Sequence, residues 1–143
     1  MRVMIADDDP TYLTLLESLL AEWDFQTVLA RDGAEALAIM ARPDAPSLLL
    51  LDWQMPEVDG FEVTKSVRNR SRNSEPYILI VTSDDDRNNL MRIMVAGADD
   101  YLIKPFNPID LKIRLRAAVR IANLRERVAQ LQHQVDQFTA GAA

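Results

Sequence analysis

Five short apolar runs recur along the chain, at Val3–Ala6, Phe25–Ala30, Leu48–Leu51, Tyr77–Val81 and Tyr101–Ile103, and each is followed by a segment of helical period. Parallel neighbours in a sheet need a long crossover between them, usually a helix. The alternation therefore predicts an α/β domain whose parallel sheet is covered on both faces. Leu48-Leu49-Leu50-Leu51 shows no alternation, as a strand buried on both sides should not. Pattern alone also fits a buried helical turn, but the flanking turn signals favour a strand.

The helix starts carry their own chemistry. Asp9 can cap a helix with Pro10 in its first position, Asp32 with Glu35 and Asp59 with Glu62 have capping-box spacing, and Asn107 precedes Pro108 with Asp110 three residues after the cap. Helices follow over roughly 10–22, 33–42, 60–70, 84–96 and from 108 onward. Ser83 is assigned as the cap of the fourth, with Asp84, Asp85 and Asp86 complementing the dipole of its first turn. Gly97 can end that helix in a left-handed conformation.

At 143 residues, 48% apolar and 27% charged, the chain suits one domain with a self-sufficient core; a second would not fit. Without cysteine, disulfides, thiolate catalysis and cysteine-ligated metals are excluded, and His133 alone builds no histidine cluster. Oxygen ligands remain, which favour magnesium, calcium or manganese. The formal charge of -6 gives no basic field to draw nucleic-acid phosphates, so direct nucleic-acid binding is not expected. Val3–Ala6 is too short for a signal peptide or membrane span, and Asp7-Asp8-Asp9 follows at once, so a cytoplasmic protein without membrane contact is expected.

The last helix runs on past a compact domain of residues 1–120. Ile121, Leu124, Val128, Leu131, Val135 and Phe138 alternate steps of three and four, an a/d heptad seam over 121–138. Such a stripe offers a homodimer, although Arg120 and Arg125 would repel across a parallel pair and Gln132 and Gln134 supply no ion pairs. The small-residue tail 139–143 is expected to be disordered.

In an open parallel sheet, residues just beyond the carboxyl ends of the strands share one crevice. Here these are Asp7, Asp8 and Asp9, then Asp52, then Thr82 and Ser83, then Lys104 and Pro105. Asp7, Asp8 and Asp52 against Lys104 leave a self-repelling negative cluster, which a divalent cation would neutralise. Magnesium binds through one or two carboxylates and completes its shell with water and phosphate oxygens. It could then present a phosphoryl donor to Asp52, since carboxylate nucleophiles form aspartyl phosphates and such transfer needs mainly alignment and charge neutralisation. Lys104 and the Thr82 hydroxyl supply a cation and a donor for the equatorial oxygens.

Taken with Asp52-Trp53-Gln54-Met55-Pro56 running into Asp59-Gly60, with Gly97-Ala98-Asp99-Asp100-Tyr101 and with Lys104-Pro105-Phe106, these residues resemble the response-regulator receiver family over about residues 2–120. The resemblance implies a flavodoxin-like doubly wound (βα)5 fold with strand order 2-1-3-4-5, extended here by a long C-terminal helix. It implies Asp52 as phosphoacceptor, magnesium (manganese as an alternative) on the Asp8 and Asp52 carboxylates, Asp7 through water and the Gln54 backbone carbonyl, and Lys104 on the phosphoryl group, before a cis bond to Pro105. Thr82 and Tyr101 resemble the family's switch pair, whose movement reshapes the face of the fourth helix, fifth strand and fifth helix. Gln54 and Asp84 fall where the family tunes its rates. The implied partners are a sensor histidine kinase or phosphotransfer protein, and an output domain or effector reached through that face and the extended helix. The extension is similar to the signalling helix that joins receivers to cyclase, phosphodiesterase or kinase domains, which would make the chain a piece of a longer regulator. The implied role is a signalling phosphoacceptor rather than an enzyme turning over substrate.

Three other readings compete. A dehalogenase-type phosphatase would need a second aspartate where Gln54 stands; a flavodoxin would need a Ser/Thr/Gly-rich phosphate loop after the first strand; a degenerate, docking-only receiver would lack some of the acidic, hydroxyl and lysine landmarks.

Overall fold

The computed structural model describes residues 1–70, 72 and 74–142. Strands β1 (Arg2–Ala6), β2 (Gln26–Ala30), β3 (Leu48–Asp52), β4 (Tyr77–Thr82) and β5 (Asp100–Ile103) alternate with helices α1 (Pro10–Glu22), α2 (Gly33–Met40), α3 (Gly60–Asn69), α4 (Arg87–Ala96) and α5 (Pro108–Ala142). All pairings are parallel, in the order β2-β1-β3-β4-β5, as expected.

Period-two side-chain alternation divides the core. Leu49 and Leu51 of β3 join Ile39, Met40, Val63, Val67 and Ile93 from α2, α3 and α4 on one face. Leu48 and Leu50 join Leu13, Leu16, Leu20, Leu111 and Leu115 from α1 and α5 on the other. A leucine run without alternation is thus what a central strand between two helical layers requires. Among the described residues no helix is long and apolar enough to cross a membrane.

Asp9, Asp32 and Asp59 cap α1, α2 and α3, accepting from the backbone N–H groups of Thr11, Glu35 and Glu62. Gly97 ends α4 at φ 115°. The start of α4 differs from expectation: Asp86, not Ser83, is the cap, accepting from the N–H groups of Asn88 and Asn89. The cause is a stepwise turn before it, in which Thr82 Oγ1 accepts from Asp84 N–H and Asp84 Oδ1 accepts from Asp86 N–H. Those bonds hold residues 83–85 out of the helix.

Two carboxylates fasten α5 to the sheet. Both carboxylate oxygens of Asp100 accept from Arg114 Nη1 at 2.8 Å. Asp99, just before β5, pairs with Arg125 at 2.6 Å and with Arg68 of α3 at 2.8 Å, while also accepting from Ile78 N–H. Arg125 is therefore engaged within its own domain rather than standing as a free flanking charge. Beyond it α5 continues through the tail expected to be disordered, as far as Ala142; Ala143 lies outside the described residues.

Candidate functional site

Sheet register aligns Ala6 with Leu51, Asp52 with Val81 and Thr82 with Ile103, so the residues following β1, β3, β4 and β5 meet at one edge. Carboxylate oxygens of Asp7, Asp8 and Asp52 lie within 4.8 Å of one another. Asp7 and Asp52 are buried, 1% and 7% exposed, whereas Asp8 faces solvent. Lys104 Nζ donates to Asp7 Oδ2 at 2.7 Å and stands 3.8 Å from Asp52 Oδ1. The Lys104–Pro105 bond is cis, as expected.

The electrostatics favour the binding of a positive charge. Burial, then repulsion from Asp7, pushes the Asp52 carboxyl up to about 7, against the opposing pull of Lys104 and the Gln54 N–H. Lys104 is shared between two acids and sits closer to Asp7, so it cannot neutralise both. Oxygen-only donors, two of them buried and one beside water, suit a hard divalent ion that keeps part of its hydration shell.

The remaining expected residues surround this cluster. Thr82 is fully buried, and its Oγ1 accepts from Asp84 N–H at 3.1 Å, which leaves the hydroxyl proton free to donate elsewhere. Tyr101 is half-buried against the core under α3 and α4. Gln54 is exposed at the mouth, its N–H directed at Asp52 Oδ1 over a long 3.4 Å. Asp84 is more committed than expected: Oδ2 accepts from Asn89 Nδ2 at 2.7 Å, and Oδ1 is used in the turn.

Several supports escaped sequence reasoning. The Tyr12 ring lies 4.1 Å from Lys104 Nζ and touches Phe106 in turn, so an aromatic face steadies the lysine. Only the Tyr12 position, one turn into the helix after the acidic run, hinted at this. Gly60 lies directly beneath the acceptor loop: a Cβ there would come 2.5 Å from the Asp52 carbonyl oxygen and 2.7 Å from Trp53 Cα. Between them, Glu57 adopts φ 66° with Val58 N–H bonded to the Pro56 carbonyl at 2.8 Å, a γ-turn with a positive φ, which is rare and strained.

The Response regulator receiver domain family matches residues 3–116. The chain belongs to that family. The response regulator MprA of Mycobacterium leprae is 40% identical to this receiver over 120 residues, covering 84% of the chain and 51% of MprA. The receiver spans about half the length of the curated relatives it matches. Among solved structures, the BeF3-activated N-terminal receiver domain of Klebsiella pneumoniae RstA aligns at TM-score 0.76 with 31% identity, over 84% of this chain and 99% of that one. A protein described as a probable two-component system response regulator/GGDEF domain protein aligns at TM-score 0.79 with 28% identity, over 86% of this chain and 50% of that one. Receiver domains of two-component response regulators are signalling domains.

Proposed function

We propose that this receiver accepts a phosphoryl group on Asp52 from a sensor histidine kinase or phosphotransfer protein and passes the change to an output domain or effector. The observation that carries this is the buried Asp52 carboxylate at a strand end, within ligand reach of Asp7 and Asp8 and 3.8 Å from Lys104. Asp8 and Asp52 through their carboxylates, Asp7 through water and the Gln54 carbonyl would hold magnesium, or manganese in its place. When bound, that ion supplies charge neutralisation and a template for phosphoryl oxygens.

The chain's own groups do the rest. An Asp52 oxygen forms the new bond to phosphorus as the bond to the donor breaks, and Lys104, held level by Asp7 and Tyr12, donates to an equatorial oxygen. The Thr82 side chain turns so that its free hydroxyl proton reaches another; this carries Oγ1 away from the Asp84 N–H and loosens the turn before α4. Tyr101, half-buried on the neighbouring strand, then has space to move inward, and the face of α4, β5 and α5 changes shape. Asp84 and Gln54 border the route of the water that later removes the phosphoryl group. Asp84 keeps its bond to Asn89 there and tunes the rate of that step.

Incubation with acetyl phosphate and magnesium tests the reading. One phosphoryl group per chain, absent in Asp52→Asn, is expected; continuous turnover of phosphomonoesters without a stable adduct would instead indicate a hydrolase.

A further inference from the structure

From Gln130 to Gly141 every residue of α5 is exposed. A helical segment without tertiary burial is marginal in water at this length. Its one side-chain hydrogen bond, Gln132 to Asp136, is of the kind that contributes only a few tenths of a kcal/mol. Yet it carries an unbroken apolar stripe: Leu124 is 64% exposed, Val128 64%, Leu131 48% and Val135 56%.

The stripe points away from the domain. Ala118 and Ala122 are buried and Arg125 and Ala129 half-buried against it, whereas Leu124, Val128 and Leu131 lie roughly a third of a turn round the helix. In heptad terms Ile121, Val128 and Val135 occupy a, while Leu124, Leu131 and Phe138 occupy d. Branched residues at a with leucine at d select two parallel strands over other coiled-coil states. The obstacle in the sequence was repulsion between Arg120 at g and Arg125 at the following e of a partner helix. The structure lessens it, because both Arg125 Nη atoms are held by Asp99, which Arg68 also shares, at 2.6 and 3.2 Å. Six apolar side chains per helix, at roughly 60–120 Å² each, would bury on the order of 1,000 Å² in a pair, the level at which specific interfaces begin.

We infer that the occupant of this face is a second copy of the chain, joined as a parallel, in-register coiled coil over residues 121–138, with Asp99 holding back and partly offsetting the Arg125 charge that would otherwise oppose it. Sedimentation of the full chain at micromolar concentration should give twice the chain mass. Leu131→Asp should give the monomer mass with unchanged phosphorylation of Asp52. The chain has no cysteine, so Leu124→Cys and Val135→Cys each introduce a sole thiol. In a parallel pair each variant crosslinks with itself under mild oxidation. Asp99→Asn should raise the dimer dissociation constant about tenfold, and adding Arg125→Gln should restore it. A monomer at all concentrations overturns the inference, as does crosslinking seen only when the two cysteine variants are mixed, which marks an antiparallel pair. An unchanged dissociation constant in Asp99→Asn overturns the part assigned to Asp99.

Discussion

Asp52→Asn should stabilise the cation-free protein, with a pH dependence that identifies the cause. The folded carboxyl titrates at about 7 against an unperturbed 3.8, because it is buried beside Asp7. A group whose folded pKa is raised leaves the protein fully stable below the unfolded pKa and weakens it as pH climbs to the folded one. Wild type therefore loses stability between about pH 4 and 7, while the amide has no proton to lose. The full gap of about three pH units corresponds to about 4 kcal/mol. Water at the exposed Asp8 side screens part of it, so about 2 kcal/mol is expected above pH 7. Lys104 is not orphaned by the change, since its close partner is Asp7 at 2.7 Å rather than Asp52 at 3.8 Å. Urea unfolding in EDTA at pH 4, 5.5 and 8 measures the gap. It should grow over that range and then narrow when magnesium is added, because the cation binds folded wild type. An Asp52→Asn protein less stable than wild type at pH 8 in EDTA, or a gap indifferent to pH, would refute the reasoning.

Gly60→Ala should cost about 1–3 kcal/mol and slow phosphorylation together, because its methyl group would push into the Asp52 and Trp53 backbone; chemical denaturation and acetyl phosphate kinetics check both. Tyr12→Ala removes the ring from Lys104 and should slow phosphoryl uptake several-fold with little change in fold, whereas Tyr12→Phe, which keeps the π face, should behave as wild type in the same assay.

How much of this was legible beforehand depends on the range of the interaction involved. The five strands were readable because burial writes itself locally, most plainly in Leu48–Leu51, and Asp9, Asp32 and Asp59 cap helices through neighbours two or three residues away. The edge constellation of Asp7, Asp8, Asp52, Thr82 and Lys104 followed from the topology of parallel sheets. Where several equivalent groups competed, local pattern failed: any of Ser83, Asp84, Asp85 and Asp86 could cap α4, and the choice fell to a chain of turn bonds that begins at buried Thr82. Contacts between distant segments were invisible for a different reason. Asp99 and Arg125 are individually ordinary charges, and only the docking angle of α5 turns them into a latch. Tyr12 over Lys104 likewise needs α1 and the end of β5, with two strands between β1 and β5, to reach the same edge of the sheet.

The central claim is that Asp52, and no other carboxylate of the cluster, stores the phosphoryl group. Borohydride reduction converts an aspartyl phosphate to homoserine, which peptide mass spectrometry can place. After treatment with acetyl phosphate and magnesium, homoserine at position 52 alone is the predicted result. Homoserine at position 7 or 8, or none while magnesium is bound, would contradict it.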